Sequence, residues 1–393
     1  MPGKLTLATT VVLPLAAVAL VLGGVPPQSA PFIERTAEFV AVFSLILAWR
    51  FRRSRLFLAT GTIALANFLV RTAWSAEFSV GSGPVVAALS LLLPLNLGII
   101  TLLPEGKTLR PSTLGFAAVI AAQLLPAGSI LALAENEDRL KGLYAVVTTP
   151  QAAQLAFLIA TAFILVALTI RRGIFEIGMV GVLGSCALAL FWRPGVGETT
   201  VFFAAAQLVL LFGLMEDSYR LAFVDGLTGL PGRRAFDEAL QGLGGVYTIA
   251  MIDVDHFKKF NDRFGHEAGD QALRMLAGCL QMTGGRSHAY RYGGEEFAVV
   301  FPSIGVNTAR EHLEDLRNLI ADRKFSIRSP QRPKKRPDRP KRPKREPPQA
   351  SLTVSIGAAG PSKRRSESDE VLRAADRALY RAKRSGRNRL VTT

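Results

Sequence analysis

Apolar runs near ~20 residues recur through the first half of the chain, and a run of that length crosses a bilayer core as a helix. They lie at Leu5–Val25, Phe32–Trp49, Leu56–Trp74, Pro84–Leu103, Ser112–Leu133, Ala152–Ile170, Phe175–Trp192 and Thr200–Met215. A backbone in lipid must satisfy its own hydrogen bonds, so these runs dictate an α-helical membrane domain of about eight helices. The connections alternate in charge. Arg50, Arg52, Arg53 and Arg55 follow the second run, Lys107 and Arg110 the fourth, and Arg171 and Arg172 the sixth. The other connections, such as Pro26–Pro31 and Pro194–Thr199, are poorer in base, and Glu135–Lys141 is net acidic. The positive-inside rule then places the N-terminus, the basic connections and everything after Met215 on the cytoplasmic side. Lys4 followed by Leu5–Val25 also has the look of a signal peptide. The run is long for one and no A-x-A site follows, so a retained helix is expected; cleavage would leave seven spans.

Ionisable residues in the runs sit near their ends: Glu34, Arg35 and Glu38 in the second, Arg71 in the third, Glu176 opening the seventh. That pattern argues against a transport pathway and for a sensory or anchoring domain whose ligand the sequence does not name. Asn67, Asn96, Gln123 and Gln154 are candidate ligand contacts, but are expected to be interhelical hydrogen-bonding residues. The two cysteines, Cys186 and Cys279, fall one in each half and imply no disulfide framework.

The last run continues without a Gly/Pro break into Glu216–Phe223. Leu211, Met215, Ser218 and Ala222 fall on one helical face, which predicts a short connecting helix. The expected organisation is a membrane domain over 1–215, a connecting helix over 216–224 and a cytoplasmic α/β domain over 225–393.

The cytoplasmic part opens with the turn-rich Asp225–Pro231 and a helical Arg233–Gln241. Val246–Ile252 reads as a buried strand that delivers Asp253-Val254-Asp255 at its end, an arrangement able to hold Mg²⁺. A long helix follows from Gly265–Asp270 to about Met282, and a helix is expected near Thr308–Asp322. Between them lies Arg291-Tyr292-Gly293-Gly294-Glu295-Glu296-Phe297. A Gly-Gly pair between two strand-like runs predicts a two-residue turn at Gly293-Gly294, both at positive φ, with Glu295 and Glu296 starting the next strand.

These motifs together resemble the GGDEF family, the diguanylate cyclases. The resemblance covers roughly Phe223 to Leu390 and rests on six ordered motifs: D-x-L-T-G-L, D-x-D-x-F-K-x-x-N-D, G-H-x-x-G-D, R-Y-G-G-E-E-F, T-V-S-I-G at Thr353–Gly357, and A-D-x-A-L-Y-x-A-K-x-x-G-R-N. It implies a central, mostly antiparallel sheet flanked by helices, and condensation of two GTP into cyclic di-GMP with release of two pyrophosphates. By that resemblance Asp253, the Val254 carbonyl, Glu295 and Glu296 hold two Mg²⁺, with Mn²⁺ as a substitute, and Glu295 stands at the proton acceptor's position. Recognition of guanine falls to Asn261 and Asp270. Phe257 and Lys258, through their backbone, and Lys383 and Arg387, one helical turn apart, match the phosphate contacts. The product joins two nucleotides, so the resemblance also implies a homodimer with facing sites. A silent GTP-binding regulatory domain is the alternative, and a receptor with an appended domain a further one.

Residues around these motifs keep plainer readings. Asp255 either braces the strand end or joins the metal site. His266 and Asp262 hold the turn before the long helix, Arg291 reads as a surface charge, Asp376 as a surface acid, and Leu379 and Tyr380 as core. Two departures stand out. The family's inhibitory R-x-x-D falls on Gly284, Gly285, Arg286 and Ser287, so no inhibitory product site is expected. An insertion at 328–348 holds ten Lys/Arg between Arg328 and Arg345 against the single Asp338, interleaved with prolines. It reads as a disordered or polyproline-like loop, either solvated without a role or facing anionic lipid head groups, and it lacks the interleaved aromatics of a nucleic-acid binder. The loop contributes much of the formal net charge of +16.

Overall fold

The structure is a computed structural model and describes residues 4–74, 82–106, 108, 110–136, 145–146, 148–192, 196–326, 349–362 and 367–393. The basic segment 328–348, Lys107 and most of the acidic connection lie outside the described residues. The chain divides into two compact units, Met1–Ser218 and Tyr219–Thr393.

The first unit is helical: α1 (Lys4–Leu22), α2 (Ala30–Arg50), α3 (Ser54–Trp74), α4 (Ser82–Leu102), α5 (Pro111–Asn136), α6 (Pro150–Arg171), α7 (Ile174–Phe191) and α8 (Val196–Phe223). Six of these, α1, α3, α4, α6, α7 and α8, are long and apolar enough to cross a membrane. In α2 the three charges Glu34, Arg35 and Glu38 dilute the apolar run, and of α5 only the apolar stretch Pro111–Leu125 falls among the residues whose side chains are described. Local chemistry sets the ends. The Thr149 hydroxyl accepts from the Ala152 amide at 3.2 Å, Pro150 follows at the first helical position, and Arg172 closes α6 in the left-handed region at φ 49°. Leu89, Leu93 and Leu97 of α4 are fully buried in the unit's core. The α1–α7 contact relies on Gly181, where a Cβ would sit 2.6 Å from the Thr10 carbonyl oxygen.

The charged residues at the helix ends are tied down. Arg55 is buried and donates through Nε to Glu105 at 3.1 Å and through Nη1 to Glu176 at 2.5 Å; Glu176 is 1 % exposed. Arg53 pairs with Asp217, and Glu216 accepts from both the amide and the hydroxyl of Thr6, at 2.8 and 2.6 Å. The Arg171 guanidinium donates to the carbonyls of Thr101, Leu102 and Leu103 at the end of α4, each within 2.9 Å, which satisfies orphan acceptors and complements the helix dipole.

The second unit follows as α9 (Arg233–Gln241), β1 (Tyr247–Val254), α10 (Phe257–Phe264), α11 (His266–Gln281), β2 (His288–Gly293), β3 (Glu296–Pro302), α12 (Val306–Asp322), β4 (Phe325–Ser326), β5 (Gln349–Ala350), β6 (Val354–Ala359), α13 (Ser368–Arg384) and β7 (Leu390–Thr392). Its main sheet has the order β2-β3-β1-β6-β7, antiparallel except for the parallel β6–β7 pair. The sheet is mostly antiparallel and flanked by helices, as the resemblance implies.

β1 sits in the middle with all eight residues buried, which explains why its sequence reads as a continuous apolar run. Alternate residues serve opposite faces. Ala250, Ile252 and Val254 join Phe297, Val299 and Phe301 of β3 in a core with α11 and α12. Ile249 and Met251 join Ala298 and Val300 in a second core with Phe236 of α9 and Val371, Ala375 and Leu379 of α13. Burying each large side chain on these faces contributes about 1.5–3 kcal/mol. α13 lies directly on β6, because a Cβ on Gly357 would meet the Leu379 amide nitrogen at 2.0 Å. Leu379 is buried, but Tyr380 is 60 % exposed and is not core; it lies one position round the helix, under the Arg384 guanidinium at 5.8 Å.

Candidate functional site

The C-terminal end of β1 gathers the acidic residues. Asp253 is 7 % exposed and stands between Glu296 of β3 and Ser355 of β6 in the strand register. Lys383, in the last turn of α13, reaches its Oδ2 at 2.8 Å. Burial pushes the Asp253 carboxyl above the ordinary carboxylate range; Lys383 opposes the rise, the Asp255 charge adds to it, and Arg387 opposes it. Glu295 is raised for the same first reason, with the Asp253 and Glu296 charges adding and Lys383 opposing. Asp253, Glu295, Glu296 and Lys383 therefore share one electrostatic site.

The hairpin differs from its expected geometry. β2 runs through Gly293, which pairs with Glu296, and the turn is Gly294-Glu295. Only Gly294 of the pair has positive φ, at 47°. The cause is a register shift between Arg291 and Gly293, which moves the turn one residue along. Glu295 thus stands at the turn's tip and Glu296 begins β3.

Arg291 is no surface charge. Its Nη1 donates to Asp225 at 2.8 Å, and its Nη2 and Nε donate to the Gly294 carbonyl at 2.7 and 3.2 Å. Asp225 also accepts from the Thr228 amide and hydroxyl, at 2.8 and 2.6 Å. Burial alone would raise the Asp225 carboxyl, but the hydrogen bonds from Thr228 and Arg291 outweigh it and leave it below its ordinary value. The leading turn and the acidic hairpin are clasped together by this arginine. At the hairpin base Tyr292 packs edge-on against Phe236, with Arg233 over its ring at 4.7 Å.

Asp255 is the brace of the strand end. It accepts from the Ser355 hydroxyl at 2.7 Å, the Thr353 hydroxyl at 2.8 Å and the Asn388 amide at 2.9 Å. The last bond fixes the loop that carries Arg387. Arg387 does not continue α13 one turn after Lys383. The helix ends at Arg384, Gly386 has φ 115°, and the Arg387 amide closes back on the Ala382 carbonyl at 3.1 Å. That is a glycine-terminated cap, and it puts Arg387 and Asn388 in the left-handed region at φ 62° and 43°.

On the other side of β1's end, His256 turns the chain at φ 55° into α10. Phe257 is buried and stacked with Phe260, while Lys258 is exposed. Asn261 lies against α11 so closely that a Cβ on Gly269 would overlap its Oδ1. That Oδ1 is buried without a protein partner among the described residues, next to the exposed Asp270. His266 and Asp262 are exposed at the α10–α11 turn.

The donors fit a small hard cation in one specific sense. No group of three or more His, Cys, Asp or Glu is arranged around a metal position among the described residues. A buried Asp253 and a partly buried Glu295, whose carboxyl the Asp253 charge helps to raise, beside a backbone carbonyl, are the donor set of Mg²⁺ held jointly with substrate phosphates rather than in a protein cage.

Residues 222–389 match the family described as Diguanylate cyclase, GGDEF domain. The second unit is a GGDEF domain. The chain is 38 % identical over 184 residues to the diguanylate cyclase DgcP of Pseudomonas aeruginosa, covering 45 % of this chain and 25 % of that protein. It is 35 % identical over 175 residues to the diguanylate cyclase VdcA of Vibrio cholerae, covering 43 % of this chain and 47 % of that one. The chain thus spans between a quarter and half the length of these relatives. Among solved structures, the coiled coil and GGDEF domain of DgcB from Caulobacter crescentus, in complex with c-di-GMP, is 34 % identical with a TM-score of 0.39, covering 46 % of this chain and 90 % of that one.

Proposed function

We propose that the GGDEF domain makes cyclic di-GMP from two GTP, as the names of its relatives suggest. The observation that carries this reading is the convergence of Asp253, Glu295, Glu296 and Lys383 at the end of β1. In the reaction a ribose 3′-hydroxyl oxygen forms a bond to the α-phosphorus of the second GTP. The bond to the pyrophosphate oxygen breaks, the hydroxyl proton leaves, and the step repeats to close the ring. Bound Mg²⁺ supplies charge neutralisation at the phosphates and acidifies the attacking hydroxyl. Asp253, Glu295 and the Val254 carbonyl would hold it, with Glu296 beside them.

Glu295, raised in pKa at the turn tip, takes the hydroxyl proton. Lys383 exchanges its Asp253 partner for phosphate oxygens when nucleotide arrives, and Arg387 adds a second cation from the loop braced by Asp255. The backbone at Phe257 and Lys258 completes the phosphate contacts. The free Oδ1 of Asn261 accepts from guanine, and Asp270 accepts from N1–H and the 2-amino group together, a pairing that adenine does not offer. Each domain holds one GTP, so two domains face one another in a two-fold dimer. The apolar helices anchor the chain in the bacterial inner membrane, with 1–215 as the input domain and 216–224 as the connecting helix. The insertion at 328–348 rests on anionic lipid.

Cyclic di-GMP formation from GTP and Mg²⁺ by the full chain in detergent tests the reading. Glu295→Gln should lower turnover by about 100-fold or more while GTP binding persists. Full turnover in Glu295→Gln overturns the role given to Glu295, and GTP binding without turnover in the native chain favours the silent regulatory alternative.

A further inference from the structure

The loop after α13 carries Arg387 and Asn388 side by side, both at positive φ. An arginine in the left-handed region is held there at a cost, whereas asparagine adopts it more readily. Such a conformation persists when its surroundings over-determine it. The Arg387 side chain is exposed, and its backbone is held from within the loop's own neighbourhood: the amide donates to the Ala382 carbonyl and the carbonyl accepts from the Arg389 Nε, each at 3.1 Å. The rest of the domain grips the loop at the next two residues. The Asn388 amide donates to Asp255 at 2.9 Å, and the Arg389 carbonyl accepts from the Ile356 amide of β6 at 2.9 Å.

A third grip comes from α12. Arg317 Nη1 donates to the Asn388 Oδ1 at 2.9 Å and lies 3.4 Å from its carbonyl oxygen. The Arg317 side chain is 18 % exposed, and its own helix orients it. Nε donates to Glu314 at 2.8 Å, and Nη2 to the Asn318 Oδ1 at 2.5 Å. A planar guanidinium fixed on two of its edges presents the remaining donor in a set direction. Asn388 is therefore held by its amide from β1's end and by its side chain from α12.

We propose that Arg317 is a positioning residue for the triphosphate: by holding Asn388 it keeps the adjoining Arg387 where a phosphate oxygen meets it. The inference rests on the cyclase reading's assignment of Arg387 to phosphate. Arg317 touches no substrate itself. A loop that occupies its competent conformation for a smaller fraction of the time binds more weakly in proportion, so the contact is read as affinity rather than as chemistry.

The test uses the full chain in detergent with Mg²⁺ and the α,β-methylene analogue of GTP, which binds without cleavage at the α–β bridge. Arg317→Met should raise its dissociation constant about 5-fold. Arg387→Ala should raise it about 10-fold or more. Arg317→Met added to Arg387→Ala should change it by less than about 2-fold, because nothing remains to be positioned. Asn388→Gly accepts the left-handed backbone and removes the Oδ1 acceptor while leaving α12 untouched. It should weaken binding about as much as Arg317→Met, again only while Arg387 is present, and it decides the matter if Arg317→Met fails to fold. With GTP itself, Arg317→Met should raise KM about 5-fold and keep kcat within about 2-fold. The proposal is overturned by unchanged affinity in both variants, by an equal loss in the Arg387→Ala background, by a fall in kcat with KM unchanged, or by absence of analogue binding to the native chain. Binding that depends on Arg317 in a chain without turnover overturns the cyclase reading and keeps this one; turnover with affinity indifferent to Arg317 does the reverse.

Discussion

The two units use charge in opposite ways. In the GGDEF domain, charged groups stand at the rim of the sheet and are aimed: Arg291 at the hairpin, Asp255 at the Arg387 loop, Lys383 at Asp253. In the helical unit, charged groups bind helices to one another, as Arg55 does between Glu105 and Glu176. The difference follows from the backbone. A sheet satisfies its backbone over long sequence distances and fixes positions for side chains at strand ends. Helices satisfy theirs locally, so their mutual placement depends on side chains, and a buried ion there is structural.

The sharpest way to break this contrast is Arg55→Ala. It would strand Glu176 without its main cation and should destabilise the helical unit by about 3–5 kcal/mol, read by thermal unfolding in detergent. If a rim charge of the GGDEF domain costs as much when removed, the contrast fails. The Glu295→Gln loss of about 100-fold in turnover comes next, and it should leave the melting temperature unchanged. Gly357→Ala should cost about 1–3 kcal/mol and lower activity together, because the added carbon forces α13, and Lys383 with it, off the sheet.

Asp225 gives a smaller effect with a definite sign. Its folded carboxyl lies below the ordinary value, so it contributes stability above the unfolded carboxylate pKa that is lost as pH falls through the folded one. Asp225→Asn should remove that part of the acid sensitivity, worth under about 1 kcal/mol, in a pH series of unfolding curves. The smallest expected effect is none: submicromolar cyclic di-GMP should leave turnover unchanged, because Gly284–Ser287 lack the inhibitory R-x-x-D. Inhibition in that range would contradict the reading.

The sheet is legible in the chain because its information is local and periodic. β1 can be read from its apolar run, and its Asp-x-Asp follows directly. The Gly-Gly pair alone misplaces the hairpin by one residue, because a register shift at Tyr292 leaves no mark on it. Helical spacing puts Arg387 on a helix that its own glycine terminates, although Gly386 is there to be read as a stop. Arg291 reads as a surface charge since its partner Asp225 lies 66 residues away.

Arg171 has a consequence in time. The three carbonyls at the end of α4 that it satisfies lie 68 to 70 residues earlier in the chain. During synthesis α4 is complete long before its cap exists, and those acceptors depend on water or lipid head groups until α6 has been made. The same positive charge that the sequence offers as a signal of orientation serves in the folded unit to close a helix from its exposed end. The α4–α6 closure therefore waits for α6, and an arginine that reads as a topological signal ends as a latch.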